Sequence, residues 1–321
     1  MLINLAIFIL LAGSAIASDD ILDLEEKEVI TDGYDFGAMD KQLLEYLPTK
    51  SYTQYQRHPG YIPGGCKNST KTYHYNPQDI EVYTVTYEDC EDPWVICRHK
   101  DSPVAADDIF TMVSRVPVGM RQYVKNLVAY PKLCDNNGNN CNYAITTEGS
   151  IVNVWDTHWT IGILIHEMSH VLDSLALRRF TPASLPWFSN TSLWQNAEGK
   201  DFAVPTNYAK RSWQEDIAEI GRVAMSDMVV PGGLPSINKN SPEISWQVNT
   251  YKMYLRDIIF PDSGRCNAKN PSGNPVPVLD GVKFNPDSFG PVPNTTLSGA
   301  VPEIVVPDVV VSAVLLGYHE H

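Results

Sequence analysis

Residues 161–173 read IGILIHEMSHVLD, and no other stretch limits the fold as much. Ile161, Leu164, Ile165, Met168, Val171, Leu172 and Leu175 recur every three or four residues, the spacing of a helix with a buried apolar face. Into that helix the chain sets His166, Glu167 and His170. Polar groups among aliphatic side chains are costly unless something pairs with them. A metal ion is one such partner. His166 and His170 stand one turn apart on one helix face. This is the H-E-x-x-H pattern, in which two imidazoles hold zinc and the glutamate acts as general base. Glu167, one position on, is placed to take a proton from water held at the ion. The competing reading is a pair of hydrogen-bonded core histidines with no ion.

Catalytic zinc takes three protein ligands and keeps one position open. The metzincin continuation requires glycine at 173 and histidine at 176, where this chain has Asp173 and Ala176, so that class is excluded. A second helix is expected over 212–229, SWQEDIAEIGRVAMSDMV. Its Glu215 and Glu219 share a face, while Asp216 is turned about 100° away. One glutamate can ligate the ion and the other can hold the free ring N–H of a ligand histidine. Ser212-Trp-Gln-Glu215 also reads as a capping box, which would make Glu219 the ligand. Asp173 and Asp216 are further candidates. Asp173 can orient a histidine or serve only solvent-side polarity. Arg222 lies one turn past Glu219 and could pair with it, a structural role.

The segment NYAKRSWQEDIAEIG resembles the one that completes the zinc site in gluzincin metallopeptidases of the anthrax lethal factor type. There a tyrosine precedes the ligand glutamate by seven residues and a second glutamate follows it by four, the spacing of Tyr208, Glu215 and Glu219. HEMSHVLD is similar to the first motif of the same family, including the aspartate at Asp173. The resemblance covers about 60 residues. It implies a zincin-like fold, one zinc ion on His166, His170 and Glu215, Glu167 as general base, Tyr208 as donor to the oxyanion, and a peptide or protein substrate. The whole chain also resembles secreted fungal proteins of the conidiation-specific 13 type, which implies location more than chemistry. The alternative to a peptidase is a secreted zinc-binding surface or conidiation-associated protein without turnover.

The remaining chain frames this site. MLINLAIFILLAGSAIAS reads as a secretory signal over 1–17, although it lacks an early Lys or Arg. Its apolar core is too short to cross a bilayer. Residues 18–50 are expected as a loosely ordered acidic arm, 51–262 as the catalytic domain, and 263–321 as a proline-rich, irregular extension. The fold class is α+β, a small mixed sheet with an active-site helix and a downstream ligand helix. Strands are expected at 79–99, as a hairpin turning at Glu91-Asp92-Pro93, and over TTEGSIVNVW. Its SIVNVW part could pair with an extended peptide. A third helix is expected at 243–260, and the valine-rich EIVVPDVVVSAVLLG could add a strand.

The even count of six cysteines suggests disulfides in an oxidising compartment. Short local loops favour Cys90–Cys97 and Cys134–Cys141, with Cys66–Cys266 left over. Asn68, Asn190 and Asn294 open N-glycosylation sequons. A net charge of −14 without a basic patch excludes a nucleic-acid partner. No membrane span is expected, and nothing in the sequence sets the oligomeric state.

Overall fold

The structure is a computed structural model. It describes residues 23–282 apart from 136, 139–140, 262–264 and 268, together with a strand at 297–299. The signal segment, the valine-rich stretch and Asn294 lie outside the described residues.

Strand β1 (Glu28–Val29) and helix α1 (Phe36–Tyr46) come first. Asp35 caps α1 by accepting from the Ala38 N–H at 3.0 Å. The described part of the acidic segment expected to lie loose is packed instead: Leu24, Ile30, Met39, Leu43 and Leu47 are all buried in the main core. Its apolar residues are few, but Met39, Leu43 and Leu47 fall four apart and so line one face.

Next come β2 (Tyr52–Gln56), β3 (Tyr61–Pro63), α2 (Gly64–Thr72) and the hairpin β4 (Ile80–Tyr87) with β5 (Trp94–His99). Then follow α3 (Ala106–Arg115), α4 (Val118–Arg121), β6 (Asn126–Tyr130), β7 (Ala144–Thr147) and β8 (Ile151–Trp155). The stretch expected as a single strand is thus two. Glu148 (φ 49°) and Gly149 (φ 67°) both adopt left-handed backbone and reverse the chain. The β-branched residues on either side conceal that turn in the sequence.

The site helices are α5 (Ile161–Ser174) and, after α6 (Ser192–Glu198) and β9 (Ala203–Val204), α7 (Trp213–Val229). The described chain ends through α8 (Gly233–Ile237), α9 (Ser245–Ile259), β10 (Pro275–Pro277) and β11 (Leu297–Gly299).

The main sheet runs in the order β11-β2-β4-β5-β6-β8-β7. The β5–β6 and β6–β8 pairs are parallel and the others antiparallel, so the sheet is mixed and the fold is α+β. Side chains alternate between its faces. Leu127, Ala129, Val152 and Val154 join the larger core shared with α5 and α7, while Val128, Tyr130, Ile151 and Trp155 join a smaller one under α2.

The division into two cores decides the disulfides. Cys97 shares the smaller core with Cys66 of α2, whereas Cys90 lies in the larger one, where Cys266 packs against it. The bridges are therefore Cys66–Cys97 and Cys90–Cys266, not Cys90–Cys97 and Cys66–Cys266. Cys134–Cys141 forms as expected. No described helix is long and apolar enough to cross a membrane.

Helices α5 and α7 pack unusually close at Gly221, where any Cβ would collide with the Ser169 hydroxyl oxygen. That hydroxyl donates to the Ile165 carbonyl at 2.7 Å and also meets the Tyr251 hydroxyl at 2.8 Å, which ties α5 to α9.

Candidate metal centre

Thr160 starts α5, its side chain accepting from the Ile163 N–H at 3.3 Å. Buried aliphatic residues then carry His166, Glu167 and His170 into the interior. Ser212 starts α7 by accepting from the Glu215 N–H at 3.1 Å. Only half of a capping box forms, because the Glu215 carboxylate turns to the histidines instead. Its Oε2 lies 3.1 Å from His166 Nε2 and 3.4 Å from His170 Nε2. Glu219, one turn on, places Oε1 2.8 Å from His166 Nδ1.

The residues fit a metal ion. One ligand atom each from His166, His170 and Glu215 lies within 4.8 Å of the others, the one such group among the described residues. Ligand bonds of about 2.0–2.1 Å at tetrahedral angles would set neighbouring donors about 3.3 Å apart. The two separations from Glu215 Oε2 bracket that value. Two nitrogens and one carboxylate oxygen form a donor set that zinc accepts.

The charges within the group compensate one another. Burial pulls the His166 pKa down, but hydrogen bonds to Glu215 and Glu219 outweigh it and lift the value to about 9. Burial alone would raise Glu215, yet its bonds to His166 and His170 hold it below the usual carboxylate range. Glu167 moves the other way. Burial raises its pKa, only partly offset by the histidines and by Thr146. The Thr146 hydroxyl, on β7, lies 2.9 Å from Glu167 Oε2 and 2.8 Å from the Glu167 carbonyl. Sequence reasoning missed Thr146, since no motif links a strand threonine to a glutamate 21 positions on.

A hollow of about 420 Å³ opens beside the group, lined by Glu167, His170, Asp173, Trp187, Tyr208 and Glu215 among others. A second, of about 340 Å³, lies past His166 and Glu167 toward Phe36, Ile163 and Arg222. Tyr208 borders both hollows, is 43% exposed, and has its ring 5.8 Å from that of His166.

The other candidates are placed as follows. The Asp173 carboxylate accepts from the Ser189 N–H at 2.8 Å and the Ser189 hydroxyl at 2.6 Å. Asp216 points into the core, accepting from Trp194 Nε1 at 2.9 Å and Gln247 Nε2 at 2.5 Å. Asn68 is exposed on α2, and half-buried Asn190 accepts from Gln214 Nε2 at 3.2 Å.

The family model described as Conidiation-specific protein Con-13 matches residues 32–254, a span that holds α1 and both site helices. "Conidiation-specific protein 13" of Neurospora crassa is 33% identical over 189 residues, covering 58% of this chain and 52% of that protein. The chain therefore spans about half the length of the curated relative it matches. No solved structure matches it. With the match running through most of the described fold and the whole of its His–Glu cluster, the chain belongs to the Con-13 family.

Proposed function

We propose that the protein is a secreted zinc-dependent peptidase of zincin type, working from His166, His170 and Glu215. One observation carries this reading: three mutually close donor atoms stand beside a buried glutamate at the mouth of a peptide-sized hollow. Zinc, when bound, supplies Lewis acidity toward a scissile carbonyl and lowers the pKa of water. Glu167 takes the proton from attacking water and passes it to the leaving amine. The Thr146 hydroxyl holds the carboxylate in place. Tyr208 borders the same hollow and donates to the oxyanion.

An extended substrate would pair with β7, which ends the sheet beside α5. The strand first expected in that role, β8, is interior, paired with β6 and β7. Secretion fits three disulfides, which persist in oxidising compartments.

A second reading keeps the ion without turnover. It is favoured by the family description, which names conidiation and no reaction. Metal analysis of purified protein, followed by a peptide-library digest of the zinc-loaded form, separates the two. A peptidase carries one zinc and cleaves, and Glu167→Gln stops cleavage while retaining the metal. A zinc-loaded wild type that cleaves nothing leaves the second reading. A protein that takes up no stoichiometric zinc refutes both.

A further inference from the structure

We propose that Asp40 and Arg222 are positioning residues for the metal centre: α1 holds Arg222, Arg222 holds Glu219, and Glu219 fixes the ring of His166. This rests on the metal-binding reading above and adds a part of the chain that neither zinc motif contains.

The contacts form a continuous line. Glu219 Oε1 faces two partners at once, His166 Nδ1 at 2.8 Å and Arg222 Nη1 at 3.2 Å. The Arg222 guanidinium lies against α1, its central carbon 3.7 Å from the centre of the Phe36 ring. Asp40, one turn along α1 from Phe36, faces the charge of Arg222 and also meets the Thr160 side chain and the Gly162 backbone at the start of α5. Helix α1 thus reaches α7 through the Phe36 ring and the start of α5 through Asp40.

Gly162 is where they meet. A Cβ there would collide with Asp40 Oδ1 and come within 3.0 Å of Arg222 Nη2. Alanine is the better helix former, so glycine at this position accords with the need for space rather than with helix stability.

Two physical effects follow from this line. Arg222 Nη1, 3.2 Å from Glu219 Oε1, draws that oxygen to the side of the carboxylate that also meets His166 Nδ1. The planar guanidinium, resting on the Phe36 ring, also stops the Glu219 carboxylate from swinging off the imidazole. A ligand imidazole with its outer N–H held this way is pre-oriented, and losing the partner typically costs 10- to 100-fold in metal affinity.

The test measures zinc affinity by competition with a chromophoric chelator, and the visible spectrum of the cobalt-substituted protein. It compares wild type with Arg222→Met, Arg222→Lys, Asp40→Asn, Gly162→Ala and Leu43→Ala. Leu43 is buried on α1 and takes no part in the line, so it controls for simple destabilisation. Arg222→Met, Asp40→Asn and Gly162→Ala should each weaken zinc binding by about 10- to 100-fold and alter the cobalt bands. Arg222→Lys should recover part of the loss. Leu43→Ala should lower the melting temperature yet keep the affinity within about twofold. Should Arg222→Met misfold, Asp40→Asn and Gly162→Ala decide. Wild-type affinity and spectrum in those variants overturn the proposal while leaving the metal site intact. So does an equal loss in Leu43→Ala. A wild type that takes up no zinc overturns the metal-binding reading, and this proposal with it, in the first measurement.

Discussion

Glu215 and Glu219 approach the His166 ring from opposite sides, Oε2 of the first 3.1 Å from Nε2 and Oε1 of the second 2.8 Å from Nδ1. Glu215 also reaches His170, and Glu219 does not share that group of donors. Glu215→Gln should therefore weaken zinc binding more than Glu219→Gln, whose loss should stay at about 10- to 100-fold. Competition titrations rank the two. The reverse order would make Glu219 the ligand.

Tyr208 borders the hollow without holding the donors together. Tyr208→Phe should leave zinc affinity unchanged and lower kcat by about 10²- to 10³-fold, the usual effect of removing one oxyanion donor. An unchanged kcat removes Tyr208 from the reaction.

The helices were the most legible part of the sequence, because an apolar repeat of three to four residues matches the helical turn and no strand period. The 161–175, 212–229 and 243–260 patterns correspond closely to α5, α7 and α9. So does the hairpin turning at Glu91-Asp92-Pro93. What sequence distance obscured was long-range. The cysteine pairing depends on which of the two cores Cys90 and Cys97 enter, and local loop length carries no information on that. The packing of α1 was hidden by the acidic residues around Met39 and Leu43. At the site, the spacing of Glu215 and Glu219 left two assignments open, and only the side-chain directions distinguish them. Asp40 and Thr146 carry no motif at all and became visible only through contacts.

Asp201 closes the start of α9. Its two carboxylate oxygens accept from the N–H groups of Trp246 and Gln247, each at 2.8 Å. Asp201→Ala leaves both donors unpaired and should cost about 1–3 kcal/mol in urea unfolding. The same residue gives a pH signature. Burial raises its pKa to about 6, against the pull of those two bonds. The folded chain therefore holds this proton more tightly than the unfolded one. The resulting stabilisation is complete below about pH 4 and is lost as pH rises through about 6. Wild-type stability minus that of Asp201→Asn should fall across this window. A flat difference would contradict the assignment.

The three bridges should differ in weight. Cys90–Cys266 closes a separation of 176 residues and Cys134–Cys141 one of 7. Loop-closure entropy predicts about 5 kcal/mol lost on replacing the first pair by serines and about 2 kcal/mol for the second. Denaturant midpoints of the two double variants check the ranking.

The cluster draws on chain positions as distant as Asp40, His166 and Arg222. A growing polypeptide cannot assemble it until α7 has been synthesised. Contacts of such long sequence separation carry a large closure entropy and slow the folding rate. On the zinc-binding reading proposed above, the nascent protein has no ready cradle for a cation, and loading with one would be a late step of its maturation.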